Sequence, residues 1–380
     1  MTKNLRRILL IISGLLIISV LAACSNTTPV EKEVEKLNYI KLSQNIKDKV
    51  DSYWQEQDLD FQSEMEWGRE KKESISGKEI SWKKNFQKFE LSFPSSREQE
   101  LDRLLTGLED RLTKNEVKVD IETKSTKSGL VNATLTVKLQ LPKLEDKELT
   151  LYQLKLTQPE VKARMAFIID DLGFNRSGMK ELMDIEHPLT VAVLPLRPHS
   201  KHDAKKASQA GHQILLHLPM EPLSSVSPGK GAITTDMTSE EIEATIDKNL
   251  SSLGVKVAGV NNHMGSKATA NNKTMSAVLS YLHQRDLFFI DSSTAPRSVV
   301  PAIAKKKKES YAMNYLFIDN IDDKKRIKKQ IKYLAGVALK KKKLITIGHI
   351  RPNTILAIQE MIPKLEEMGI QLVYVSELVD

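Results

Sequence analysis

The chain has 380 residues, 40% of them apolar and 28% charged, a globular balance that excludes a disordered or fibrous protein. Its net charge of +8 is modest for that length and gives no ground for a nucleic-acid partner. Cys24 is the single cysteine, which rules out an internal disulfide and any Cys-rich metal cluster. One long apolar stretch is too little for a multi-span membrane protein.

That stretch comes first. Lys3, Arg6 and Arg7 precede an almost wholly apolar run over 8–20, which ends in Leu21, Ala22, Ala23 and Cys24. A basic start, an apolar middle and small residues before a cut make an export signal. The Leu-Ala-Ala-Cys ending resembles the bacterial lipoprotein box. The resemblance implies a signal peptide over 1–23, lipidation of Cys24 and an extracytoplasmic protein anchored to the bacterial cell membrane. Residues 24–60 read as a polar tether passing into a helix over 39–54.

Residues 61–158 read as a small α+β domain. Alternation predicts strands over 86–93, 117–123, 131–139 and 149–156. Leu101, Leu104, Leu105, Leu108 and Leu112 carry the three-and-four spacing of a helix. No histidine or carboxylate cluster marks a site there, so a structural domain and a docking module for an envelope protein both remain open.

From residue 160 the texture changes. Short apolar runs end at residues 169, 194, 216, 260, 290, 318, 347 and 375, with helical patterns between them. Strand–helix units of this length, with strands apolar throughout, predict a parallel sheet covered by helices. The count predicts an α/β fold, a distorted (β/α) barrel of about seven parallel strands over 160–380. A doubly wound open sheet is the alternative. Polar residues follow the predicted strand ends: Asp170 and Asp171, His217 and Glu221, Asn261, Asn262 and His263, Asp291, Asp319, His349 and Arg351. In a parallel barrel those ends share one face, so three histidines and several carboxylates are expected to converge. Imidazole and carboxylate without thiolate suit zinc or another divalent transition metal.

The same residues resemble the polysaccharide deacetylases of the NodB-homology type, and especially their divergent branch. Ile168-Ile169-Asp170-Asp171-Leu172-Gly173 resembles the first family motif. Gly211-His212-Gln213-Ile214 with His217 and Glu221 resembles the second. Asn261–Ser266 and Asp291 stand where the third and fourth fall, and Ile347-Gly348-His349 resembles the last. The resemblance implies Asp170 as catalytic base, His349 as general acid, and a divalent metal, zinc foremost, held by Asp171 and His217 with His263 or Glu221. Asn262, Asp291 and Arg351 are expected to bind substrate. Arg297 or Arg351 is the candidate to steady the base. The implied activity is removal of N-acetyl groups from a cell-envelope glycan. The alternative is a non-catalytic glycan- or protein-binding lipoprotein with a degenerate barrel. The lysine runs 305–308 and 340–343 read mainly as wet helix faces.

Overall fold

The computed structural model describes residues 34–379, apart from 58, 60, 114–116, 128, 145, 175 and 296. The export signal and Cys24 lie outside the described residues. Among those described, no helix is long and apolar enough to cross a membrane.

The first body runs β1 (Lys36–Asn38), α1 (Ile40–Glu56), β2 (Phe61–Ile75), β3 (Lys78–Leu91), α2 (Leu101–Leu112), β4 (Lys118–Ser125), β5 (Leu130–Leu141) and β6 (Lys147–Pro159). Its sheet has the order β1-β3-β6-β5-β4, with β2 on the other edge of β3. Alternation on β5 points Ala133, Leu135, Val137 and Leu139 to one face, where they meet Leu104 and Leu108 of α2. The helix over 40–56, read from the sequence as the end of a tether, belongs to this core: Ile46, Val50, Tyr53 and Trp54 are buried in it. No apolar alternation marks β2, a long, charged strand exposed over most of its length. The chain enters beside Glu79, at the start of β3. It leaves along β6, parallel to β3, past the Glu90–Thr157 pair at the far end.

At that far end the second body begins. It runs β7 (Ala163–Leu172), α3 (Met179–Met183), β8 (Thr190–Val193), α4 (Ser200–Gln209), β9 (Gln213–Met220), α5 (Ser239–Leu253), β10 (Gly259–Met264), α6 (Asn272–Gln284), β11 (Phe288–Asp291), α7 (Val300–Lys307), β12 (Tyr311–Met313), α8 (Lys324–Lys341), β13 (Lys343–His349), α9 (Pro352–Glu367) and β14 (Ile370–Leu372). All strand pairs are parallel, in the order β12-β11-β10-β9-β8-β7-β13, with β14 on the start of β7. This is the expected curled barrel of seven parallel strands. Arg164 meets Glu100 at 2.7 Å, and Gln371 donates to the Pro94 and Ser96 carbonyls, which ties the two bodies together.

Local signals account for the helices. Thr238 and Glu241 form a capping box on α5, and Gly254 closes it in the left-handed region. Asp323 caps α8, and Pro352 opens α9. Alternate strand residues then divide between two cores. Met165, Phe167 and Ile169 pack outward under the helices, while Ala166, Ile168, Leu215, Ile290, Ile345 and Ile347 fill the barrel.

One predicted strand falls elsewhere. The sequence places it at 315–318, whereas the paired strand is β12, at Tyr311–Met313. The apolar segment after it threads the seam between β11 and β13. Asn314 N–H donates to Asp291 O, Tyr315 N–H to Ile345 O and Ile318 N–H to Ile347 O. Within the segment Ile318 is buried in this seam while Tyr315 and Leu316 stay exposed, and a single bridge, Phe317 with Ile347, is ladder-like.

Candidate functional site

The site grows out of strand parity. Asp170 continues the inward row of Ala166 and Ile168, His217 follows Leu215, Asn261 and His263 follow Gly259, and His349 follows Ile345 and Ile347. Each inward row turns from apolar to polar at its C-terminal end, so the polar groups converge above the packed core.

Asp171 needs a separate device, since parity alone would turn it outward. The pairing of β7 with β8 shifts between Ile169 and Leu172, and Asp171 has φ 68°. The extra residue returns Leu172 to the outer core and leaves both aspartates on the mouth of the barrel. Aspartate tolerates this left-handed conformation better than most residues.

Three side chains then meet. His263 Nδ1 lies 3.0 Å from His217 Nε2 and 3.2 Å from Asp171 Oδ1, and His217 Nε2 lies 3.4 Å from Asp171 Oδ1. Asp171 Oδ1 is buried without a hydrogen bond. Donors bound at about 2.1 Å to a tetrahedral cation stand roughly 3.4 Å apart, close to this spacing. The two nitrogens and the orphaned oxygen therefore fit a divalent metal, and Asp171, His217 and His263 would hold it.

Glu221 does not join them. Its Oε2 accepts from the Thr235 N–H at 2.8 Å and hydroxyl at 2.7 Å, and its Oε1 meets Lys267 Nζ at 2.6 Å. These donors hold its pKa down to about 2 and make it a loop clamp. Between the two candidate third ligands, the geometry selects His263.

Asp170 sits against the triad, its Oδ2 3.7 Å from His217 Nε2 and its Oδ1 accepting from Asn261 Nδ2 at 2.9 Å. Burial pushes its carboxyl above the usual range, against the pull of His217. For Asp171 burial also pushes upward, but His217 and His263 outweigh it and hold that carboxyl low. Burial depresses His217, yet the charge of Asp170 and the Asp171 contact carry it up to about 9.

His349 is the register partner of Asp170 across β13 and β7. Its Nδ1 lies 2.9 Å from Asp319 Oδ1, and its ring stacks on Phe317 with centroids 5.7 Å apart and planes at 12°. Burial lowers its pKa, but Asp319 more than reverses this, so the net shift is upward. Gly348 permits the arrangement: a Cβ there would come within 2.8 Å of Thr354 and 2.9 Å of Ile318. Asp319 stood visibly after a predicted strand, but nothing in the sequence paired it with His349.

The expected substrate binders are placed differently. Asn262 is buried, and its amide is spent on the β10–β11 connection, accepting from Ser292 N–H and donating to Met264 O and Thr294 Oγ1. Asp291 is buried on the outward row and accepts from Ser293 N–H. Both residues are buried, and their strand parity places them on the outward rows, away from Asp170, His217 and His349. Arg351 is part-buried beside His349 and donates to Asp319 O at 3.0 Å. Arg297 is exposed on a loop. Asp170 receives its hydrogen bond from Asn261, a residue for which the sequence suggested no role.

Residues 167–379, more than half of the chain, match the family model described as divergent polysaccharide deacetylase. The chain is 33% identical over 227 residues to the uncharacterized protein YibQ of Escherichia coli K12, covering 60% of this chain and 70% of that one. It is 32% identical over 219 residues to an uncharacterized protein of Haemophilus influenzae, covering 57% and 77%. Among solved structures, the uncharacterized protein ATU2773 of Agrobacterium tumefaciens shares the fold at 23% identity and a TM-score of 0.52, over 57% of this chain and 89% of that one. The convergent aspartates and histidines thus lie within a matched domain, and the chain belongs to the divergent polysaccharide deacetylase family.

Proposed function

We propose that the protein is a metal-dependent hydrolase that removes N-acetyl groups from a glycan of the bacterial cell envelope. One observation carries this reading: Asp170 lies against the Asp171–His217–His263 triad, while His349, backed by Asp319, comes from the neighbouring strand. Bare binding of a sugar needs no such base–acid pair. A divalent metal held by the triad would supply a water of lowered pKa and polarise the amide carbonyl. Asp170 takes the proton from the attacking water, and its burial makes it a stronger base than an exposed carboxylate. His349, whose protonated form Asp319 favours, gives a proton to the departing sugar nitrogen. Cys24 carries the lipid that tethers this activity to the membrane.

The test is acetate release from N-acetylated oligosaccharides and peptidoglycan fragments by the zinc-loaded chain, with Asp170→Asn and His349→Ala beside it. Release that both substitutions abolish is expected. Full zinc occupancy with no release from any such substrate, and glycan binding untouched by either change, would replace this reading with the non-catalytic binding module.

A further inference from the structure

Asn261 makes contacts that its neighbours cannot replace. It is fully buried on the inward row of β10. Its Oδ1 lies 2.9 Å from His217 Nδ1; its Nδ2 lies 2.9 Å from Asp170 Oδ1 and 3.3 Å from Ser292 Oγ. Both ends of one amide are engaged, one on a residue of the triad and the other on the carboxylate beside it.

We propose that Asn261 is the positioning residue that fixes the tautomer of His217 and the orientation of Asp170 together. The proposal rests on the reading of His217 as a ligand and Asp170 as the base. Its logic is donor–acceptor arithmetic. An ionised carboxylate only accepts, so the amide edge facing Asp170 is the NH2 group. The oxygen edge then faces His217, and an amide oxygen has no proton to give. His217 Nδ1 therefore carries the hydrogen. A metal ligand must be the neutral imidazole, which has one such hydrogen; with that hydrogen held on Nδ1, Nε2 is the nitrogen left for the metal, on the side of Asp171 and His263. Asn261 thereby orients the ring and selects Nε2 as the ligating nitrogen, and Asp170 is held with Oδ2 toward the same place. Ser292 stops the amide from turning over, because its own hydroxyl donates to Asn262 O at 2.8 Å and so leaves its oxygen to accept.

Two substitutions separate the two duties. Asn261→Asp keeps an acceptor for His217 Nδ1 but sets a carboxylate against Asp170. Asn261→Leu fills similar volume and offers neither group. Zinc affinity is measured on the full chain in detergent, by competition with a fluorescent chelator and zinc alone. Turnover is measured separately as acetate release. Asn261→Leu is expected to lower zinc affinity about 10–100-fold, the usual cost of losing a partner behind a ligand. Asn261→Asp is expected to keep zinc affinity at or above the wild-type value while kcat falls ~10²-fold or more and KM holds. Thermal melts of the metal-free proteins check that both variants fold.

Wild-type zinc affinity in Asn261→Leu overturns the proposal. So does an equal loss of affinity in both folded variants, because the retained acceptor would then count for nothing. Wild-type kcat in Asn261→Asp overturns the duty toward Asp170. Should the wild-type chain bind zinc and release no acetate, the proposed hydrolase function fails, and the affinity comparison alone supports or overturns the role of Asn261 toward His217.

Discussion

Asp319 grips His349 at two points: one carboxylate oxygen accepts from the His349 backbone N–H at 2.7 Å, and the other lies 2.9 Å from the ring Nδ1. Thr354 Oγ1 donates a further hydrogen bond at 2.7 Å, and the carboxylate is fully buried. Burial pushes the Asp319 pKa up, but the hydrogen bonds from His349 outweigh it and hold it low. The pair fixes the ring and favours its protonated form.

The pH dependence follows in sign. His349 has a raised pKa, so its protonated form persists above the ordinary histidine value of about 6.5. Activity should fall on the alkaline side as pH rises through that raised pKa. Asp319→Asn should move this limb to lower pH. The contribution of the raised His349 pKa to stability is complete below pH about 6.5 and is lost as pH rises through the folded-state value, whereas that of the lowered Asp319 pKa is lost as pH falls through its own folded-state value. A pH–rate profile of Asp319→Asn whose alkaline limb stays in place would remove Asp319 from this role.

Ligands and clamp should separate on mutation. His217→Ala, His263→Ala or Asp171→Ala each removes a group of the triad, and zinc should then no longer protect the fold against heat. A ligand present at a hundred times its Kd lends ~2.7 kcal/mol, which is the size of the effect to be lost. Glu221→Gln should keep zinc and the zinc-dependent rise in Tm, because Glu221 is bound to Thr235 and Lys267 instead. Zinc loss in Glu221→Gln equal to that in His263→Ala would return Glu221 to the ligand set.

The smaller body should be separable from the chemistry. Leu104 is 1% exposed between α2 and the sheet. Leu104→Ala should cost ~2–5 kcal/mol and lower the first calorimetric transition. Zinc affinity at 25 °C should not change, since the triad lies wholly in the barrel. A fall in affinity would mean that the Arg164–Glu100 and Gln371 contacts transmit strain to the site.

Cys24→Ser should leave an unprocessed precursor in the membrane fraction, read by gel mobility and by absence of lipid label. Normal processing and labelling of that variant would exclude Cys24 as the anchor.

Much of the barrel was legible because strand parity is strict. Asp170, His217, His263 and His349 could be placed on one face from position alone. The role of Asp171 could not be read from position, since the bulge at φ 68° has no sequence mark beyond an aspartate that tolerates it; only the family resemblance pointed to it. Asp319 and Asn261 were equally opaque, because their meaning lies in partners 30 and 44 residues away, His349 and His217. In the smaller body, β2 escaped because an edge strand exposed on both faces has no apolar alternation to read. The helix at 40–56 was found, but its place in the core depends on a sheet that had not been assembled.

The direction of the β3–β6 pair has a mechanical consequence. The chain joins this sheet beside Glu79 and departs past Glu90, eleven residues along β3, which at about 3.3 Å per residue is a rigid strut of roughly 36 Å. With Cys24 lipidated as proposed, this strut would stand between the anchored end of the chain and the barrel. On that proposal, such a mount would favour reach into a polymer mesh over contact with the bilayer surface. Shortening β3 and β6 together would then change which layer of the envelope the mouth can touch, with the mouth itself unaltered.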